Sequence, residues 1–270
     1  MIANPKVSLL LLPLAICLGC SGDGSGENTT GRRITLKTRI DAGAEASRPF
    51  GTKQGWTVTL DVFYLATGPF YYFDGATIFS HAAPKGPAPT WFDRLFGIKS
   101  AFAHPGHYIP GTARGEMLTP SSVDLHAGPA TLATGNGVTG PTRSATFTFG
   151  SPPAGAFEAM LGTHAVVLEG TAKKGSETRI FRAELDVSDL RNAKKEPAVV
   201  GCLFKEVDMQ SDGTVTLTIQ PKLWFDEVEF ETMPASVDGK PVRMMPDVLA
   251  RKELVLGVLA GNGYVFSYAP

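Results

Sequence analysis

"WTVTLDVFYL", residues 56 to 65, decides the fold. Trp56, Val58, Leu60 and Val62 fall at every second position, with Thr57, Thr59 and Asp61 between them. A period of two puts the first set on one face of an extended strand and the second on the other. A helix would scatter the same four side chains around its circumference, because its period is 3.6. Aromatic and β-branched residues suit a pleated, half-buried surface. The stretch therefore predicts a strand with one dry face and one wet face.

The same rhythm recurs outward from it. "RITLKTRI" (33 to 40), "GATIFSH" (75 to 81), "SATFTFG" (144 to 150), "HAVVLEGTA" (164 to 172) and "TRIFRAELDVS" (178 to 188) alternate. So do "VVGCLFKEVDM" (199 to 209), "TVTLTIQP" (214 to 221), "LWFDEVEFE" (223 to 231) and "GYVFSYA" (263 to 269). Gly, Pro, Asp and Asn separate them, and "AKKGSET" and "QSDGT" read as hairpin loops. Many short strands at this spacing predict an all-β protein, an antiparallel β-sandwich-like domain or a related barrel. One helix is expected at the C-terminal end, in "MPDVLARKELVLGVLAGNG" (245 to 263), where Pro246 suits a first turn and Gly261 a stop. Residues 81 to 143 are rich in Pro and Gly and break the rhythm. They read as a long irregular insertion, a place where function concentrates. No linker follows residue 32, so 33–270 reads as a single domain.

The N-terminus reads as an address. "MIANPK" carries one positive charge, Lys6, and "VSLLLLPLAI" is an apolar run too short for a permanent membrane span. It ends in Leu18-Gly19-Cys20. This resembles the lipobox of bacterial lipoproteins, although Cys17 stands where an aliphatic residue is usual. The resemblance implies that residues 1–19 are a signal peptide and that Cys20 becomes the acylated N-terminus, its palmitate-type chains holding the protein to a membrane. Ser21 after the cysteine implies the outer membrane, with the domain facing the periplasm or the outside. Residues 20–32 then form a flexible tether, since "SGDGSGENTTG" has no apolar residue to bury.

Charge excludes one large class. With 25 Lys and Arg against 26 Asp and Glu, no nucleic-acid surface is expected. Cys202, in the apolar run "VVGCLF", reads as a small buried hydrophobe. No HExxH, GxSxG, P-loop or dinucleotide fingerprint occurs in the sequence, so the expectation is a protein that is not an enzyme.

The chemistry concentrates in "AFAHPGHYIPG", residues 101 to 111. Pro105-Gly106 is the signature of a type II turn, which brings its flanking Cα atoms within about 7 Å. His104 and His107 flank that turn. Neutral imidazoles so placed can converge on one transition metal, and copper is the first guess for an exported protein. Two ligands bind weakly, so His81 and His126, on either side of the same insertion, are the further candidates, with Glu116 and Met117 as nearby donors. Two other readings stay open: a structural turn whose Tyr108 plugs the rim of the sandwich, and an acid–base pair.

"AFAHPGHYIPGTARGEML", "GWTVTLDVFYL" and "LWFDEVEF" together resemble segments of exported, β-rich copper-handling proteins, including the periplasmic partner of methanobactin export systems. The resemblance covers about half the chain. It implies a copper site at His104 and His107 with Trp56 and Trp224 as neighbours.

Two further features stand apart. "WFDEVEFE" sets Asp226 on one face of a strand with Trp224, and Glu227, Glu229 and Glu231 on the other, a pattern that reads as a solvated sheet face. "LATGPFYYF" (65 to 73) and "PTWFDRLF" cluster aromatics that serve either as core or as a ligand-facing lip. Two functional classes follow. One is a lipid-anchored protein that binds a transition metal. The other is an adhesive or structural module that binds a protein or glycan through its aromatic loops, Trp91 and Phe92 among them.

Overall fold

The computed structural model describes residues 31–77 and 108–270. Residues 31–270 form one compact unit. The predicted strand at 56–65 is the first half of a much longer one, β3, Thr57–Phe73, which continues through "ATGPFYYF". The pairing shifts register at Gly68-Pro69, between Thr67 and Phe70, where proline has no N–H to give to a ladder. The two halves of β3 therefore belong to different parts of the sheet.

The first half pairs with β9 (Val166–Lys174), which forms a hairpin with β10 (Glu177–Leu185). That hairpin turns at Gly175-Ser176 as expected, with Gly175 at φ 59°. A short strand β13, Val242–Arg243, adds to β10, while β2 (Phe50–Gly51) and β5 (Ser121–Asp124) pair with β3. The second half of β3 pairs with β4 (Ala113–Met117) and with β8 (Gly140–Phe149).

From β4 the ladder runs to β7 (Gly135–Val138), β1 (Arg33–Asp41), β12 (Gly213–Ile219), β14 (Tyr264–Ala269) and β11 (Ala198–Met209), then to β8 and back to β3. Eight strands thus close on themselves, so no strand of that circuit is left as an open edge. A two-residue strand, β6 (Ala130–Thr131), pairs with β1 outside the circuit.

The all-β architecture was legible in the sequence, but the sheet is mixed: β1 with β12, β11 with β14, and β10 with β13 run parallel. "QSDGT" is not a hairpin loop, because the last strand, β14, lies between the two strands it joins. Among the described residues, part of the stretch 81–143 is also regular, since β4 to β7 and the start of β8 lie within it.

Alternation fills the closed circuit with aromatic rings. Phe70, Tyr72, Phe147, Phe204, Tyr264 and Phe266 are buried. Phe70 meets Phe266 at 5.9 Å and Tyr72 meets Phe266 at 5.9 Å between centroids, contacts that join strands not paired to each other. The interior is packed core. Gly137 admits the methyl of Leu36, which lies 2.7 Å from where a Cβ would stand.

One bulge corrects the face assignment in β3. The register with β9 slips between Leu60 and Val62. As a result Phe63 and Leu65 are buried, while Val62 is partly exposed.

"LWFDEVEFE" is not a strand. Pro221–Phe225 forms a short helix, α2, with proline in its first turn, and Phe230–Thr232 forms a 3-10 turn. Trp224, Phe225, Val228 and Phe230 are all buried, which a two-residue period cannot achieve. Trp224 packs edge-on against Phe63 at 5.3 Å and lies 5.8 Å from Tyr264. The expected C-terminal helix is present as α3, Leu249–Leu259, and buries Ala250, Leu254 and Val258. Another short helix, α1 (Glu158–Leu161), lies before β9.

Candidate functional site

His81, His104 and His107 lie outside the described residues, as do Cys20, Trp91 and Phe92. The described chain resumes at Tyr108, and its attachment there is well defined. Asp74 accepts hydrogen bonds from the Thr112 N–H at 2.7 Å and from Arg114 Nη2 at 2.7 Å. The Gly75 N–H donates to Pro110 O at 2.8 Å. Ser144 Oγ donates its one proton to Gly75 O at 2.6 Å, so the Tyr108 hydroxyl, 2.8 Å away, is the donor to Ser144.

Residues 74–75 and 108–114 are thereby clamped together at the end of β3. At Asp74 burial works against ionisation, but the Thr112 N–H and the Arg114 guanidinium outweigh it and hold the carboxyl below its ordinary value. Burial pushes the Tyr108 phenol up to about 12, with the Ser144 hydroxyl working the other way.

Beside this clamp, on the outer side of β3 and β8, runs a groove of about 360 Å³. Tyr71, Phe73 and Tyr108 give it three aromatic rings, Thr146 a hydroxyl, and Lys194 and Glu196 one charge of each sign. Tyr71 and Thr146 are direct partners across β3 and β8, which fixes a ring and a hydroxyl side by side.

His126 follows β5, where Leu125 N donates to Phe63 O. That is ten residues along β3 from Phe73, about 30 Å of strand path. Its Nδ1 lies 2.9 Å from Ala46 O. A carbonyl only accepts, so Nδ1 carries the proton and Nε2 keeps its lone pair in the neutral ring. Of the other suggested neighbours, Met117 is fully buried in the core, and Glu116 pairs across β4 with Tyr71 and Asn136. Trp56 and Trp224 are core residues at 1% exposure each. Among the described residues no group of three or more His, Cys, Asp and Glu is arranged to hold a metal ion.

His164 is held by a carboxylate rather than by backbone alone: Nδ1 is 2.7 Å from Asp186 Oδ1. It borders a charged network in which Arg182 pairs with Glu169 and Glu184, and Arg243 pairs with Glu184. Cys202 is buried, and burial raises its thiol to about 12, so it stays a thiol.

A second concavity, about 270 Å³, lies where α2 meets α3. Gly257 lets α3 approach closely, since a Cβ there would overlap the Trp224 carbonyl. Lys53, Trp224, Asp226, Glu227, Glu253 and Asn262 border the space. Asp226 is 2% exposed. Lys222 Nζ bonds its Oδ1 at 2.9 Å, whereas Lys53 Nζ stands 3.6 Å from its Oδ2, too far for a hydrogen bond. Glu253 accepts from the Glu229 N–H at 2.8 Å. Burial raises the Glu253 carboxyl above its ordinary value, and the charges of Glu229, Glu227 and Glu231 reinforce the rise.

The carboxylates of "WFDEVEFE" were visible in the sequence. Lys53, which donates to Glu227, and Glu253, which accepts from the Glu229 backbone N–H, were not, because the contacts span 174 and 24 residues. One signal was present: Glu253, Leu256, Gly257 and Ala260 follow helical spacing and share one face of α3.

No family model, no curated protein and no solved structure matches this chain.

Proposed function

We propose that this is a lipid-anchored binding protein of the bacterial outer membrane, without catalytic turnover, that recognises a glycan strand along the groove beside Tyr108. The observation that carries the reading is the pairing of Tyr71, Phe73 and Tyr108 with Thr146 and a Lys194/Glu196 rim in one open groove. Aromatic faces rest on the apolar faces of sugar rings, and hydroxyls and charges supply orientation. The clamp at Asp74, Ser144 and Arg114 holds Tyr108 in place before a ligand arrives, which limits the ordering cost of binding.

Retention on polysaccharide and peptidoglycan resins tests this. Tyr71→Ala and Thr146→Val should each lower retention about tenfold, and chelators should leave it unchanged. Retention that both variants leave intact, or that follows only a protein partner, overturns the glycan reading.

A second reading is binding of copper through His104 and His107 with His81; His126, whose Nδ1–H bonds Ala46 O, stands about 30 Å of strand path from the Tyr108 anchor, too far to share an ion with His107. Equilibrium dialysis of the purified chain against copper should then show one equivalent bound, lost in His104→Ala/His107→Ala. Unaltered uptake in that double variant rejects those ligands. The membrane assignment has its own test. Labelled fatty acid should enter the protein in cells and fail to enter Cys20→Ala.

A further inference from the structure

The space between α2 and α3 combines features that a merely structural cavity has no reason to keep. Two of its bordering residues are almost wholly buried, and among the described residues each leaves a side-chain polar atom without a hydrogen-bond partner: Trp224 Nε1 and Asp226 Oδ2. An orphaned donor or acceptor of this kind costs stability unless something meets it.

The charge count points the same way. Three carboxylates border the space, those of Asp226, Glu227 and Glu253, and Glu229 and Glu231 add their field at Glu253. Against the three stand Lys53 and, behind Asp226, Lys222. Lys53 is a loose partner: its side chain is 63% exposed, and it bonds Glu227 at 2.8 Å rather than Asp226. One more cation would balance the site. Among the described residues the donor set has no histidine or thiolate, and its carboxylates are not spaced to share a metal ion. An ammonium group meets a buried carboxylate oxygen without that demand, and an oxygen acceptor beside it would satisfy the indole N–H. The volume, about 270 Å³, lies just below the range of drug-sized sites, so the ligand is small.

We propose that this cavity binds a small organic ammonium compound that also carries an accepting oxygen, its ammonium on Asp226 and Glu253 and its oxygen on Trp224. Amino sugars and amino-alcohol headgroups share this chemistry. Lys53 stays on Glu227 and, 3.6 Å from Asp226 Oδ2, competes with the ammonium for that carboxylate.

Titrate the purified full-length chain with glucosamine and with ethanolamine, using glucose and ethylene glycol as neutral counterparts, and follow tryptophan emission with calorimetry in parallel. At least one of the two amines should bind saturably, and which one does so identifies the source. The neutral pair should not bind. Glu253→Gln, which keeps an acceptor for the Glu229 N–H, should weaken binding about tenfold, as loss of one desolvated charge partner does. Asp226→Asn should weaken it further, and Trp224→Phe should remove the emission change. Lys53→Gln should tighten binding severalfold, an outcome that a structural role for the cluster does not produce. Equal binding of the neutral compounds, weaker binding in Lys53→Gln, or no saturable signal from either amine overturns the proposal. Glycan retention in the outer groove depends on none of these residues, so the two readings fail separately.

Discussion

Trp56 and Trp224 have the same exposure, 1% each, and opposite surroundings. The indole N–H of Trp56 donates to Glu231 at 2.9 Å, Lys174 lies 5.6 Å from the ring centroid, and Phe230 packs at 5.5 Å. Every polar demand there is met. Trp224 packs as well against Phe63 and Tyr264, but its N–H finds no partner among the described residues and a cavity adjoins it. Burial alone does not separate a core residue from a residue at a site. What sets Trp224 apart is the unmet N–H together with the adjoining cavity.

The largest test of this contrast is truncation. Trp56→Ala and Trp224→Ala should each cost about 3–5 kcal/mol in urea unfolding, since both indoles fill core volume. A cost under about 2 kcal/mol for Trp224 alone would mean that its end of the molecule yields before the rest, and the comparison of equals would fail. Next is Gly257→Val. With α3 held off α2 by a side chain that overlaps the Trp224 carbonyl, about 1–3 kcal/mol should be lost, and the Trp224 emission should shift while Trp56 keeps its environment.

The sharpest comparison is the pair Trp56→Phe and Trp224→Phe. Both lose indole volume, but only the first also loses a hydrogen bond, the one to the half-exposed Glu231 carboxylate. Trp56→Phe should therefore be the costlier by about 1–2 kcal/mol. Equal costs would show that the Trp224 N–H is satisfied in solution.

The smallest effects come from two carboxylates with opposite shifts. Glu231 is held below its ordinary value by a backbone N–H, with burial opposing and Trp56 and Lys174 assisting. Its contribution is present above an unfolded value near 4.5 and fades as pH falls through the folded value. Glu253 is shifted upward by burial, so its contribution is present in acid and fades as pH rises above about 4.5. Glu231→Gln should flatten the acid limb of a stability–pH curve, and Glu253→Gln should raise stability near neutrality. The same sign for both would remove the distinction between the two environments.

How much was legible depends on the range of each interaction. Alternation in "TVTLTIQP" and "TRIFRAELDVS" reports which side of a strand is dry, so β12 and β10 were readable. The Gly175-Ser176 turn was readable because a positive φ is a local demand. "LWFDEVEFE" misled for a definable reason. Alternating residue types resemble a strand, but Pro221 starts a helical turn and every large apolar residue there is buried by neighbours distant in sequence. The outer groove was half visible, in the aromatics of "LATGPFYYF" and in Tyr108. Its other wall, Lys194 and Glu196, gave no signal, since a loop joins a groove only through the path of the chain.

The amino-acid sequence by itself determined the β-rich class, the positions of most strands, the C-terminal helix and the buried state of Cys202. These follow from periodicity and propensity, which act within a few residues. Only the tertiary structure decided that β14 slips between β12 and β11, that the circuit closes through the second half of β3, and that Lys53, Asp226 and Glu253 border one cavity. Those outcomes depend on which distant surfaces bury one another, and pairing energy between remote segments leaves no mark on the local pattern of either.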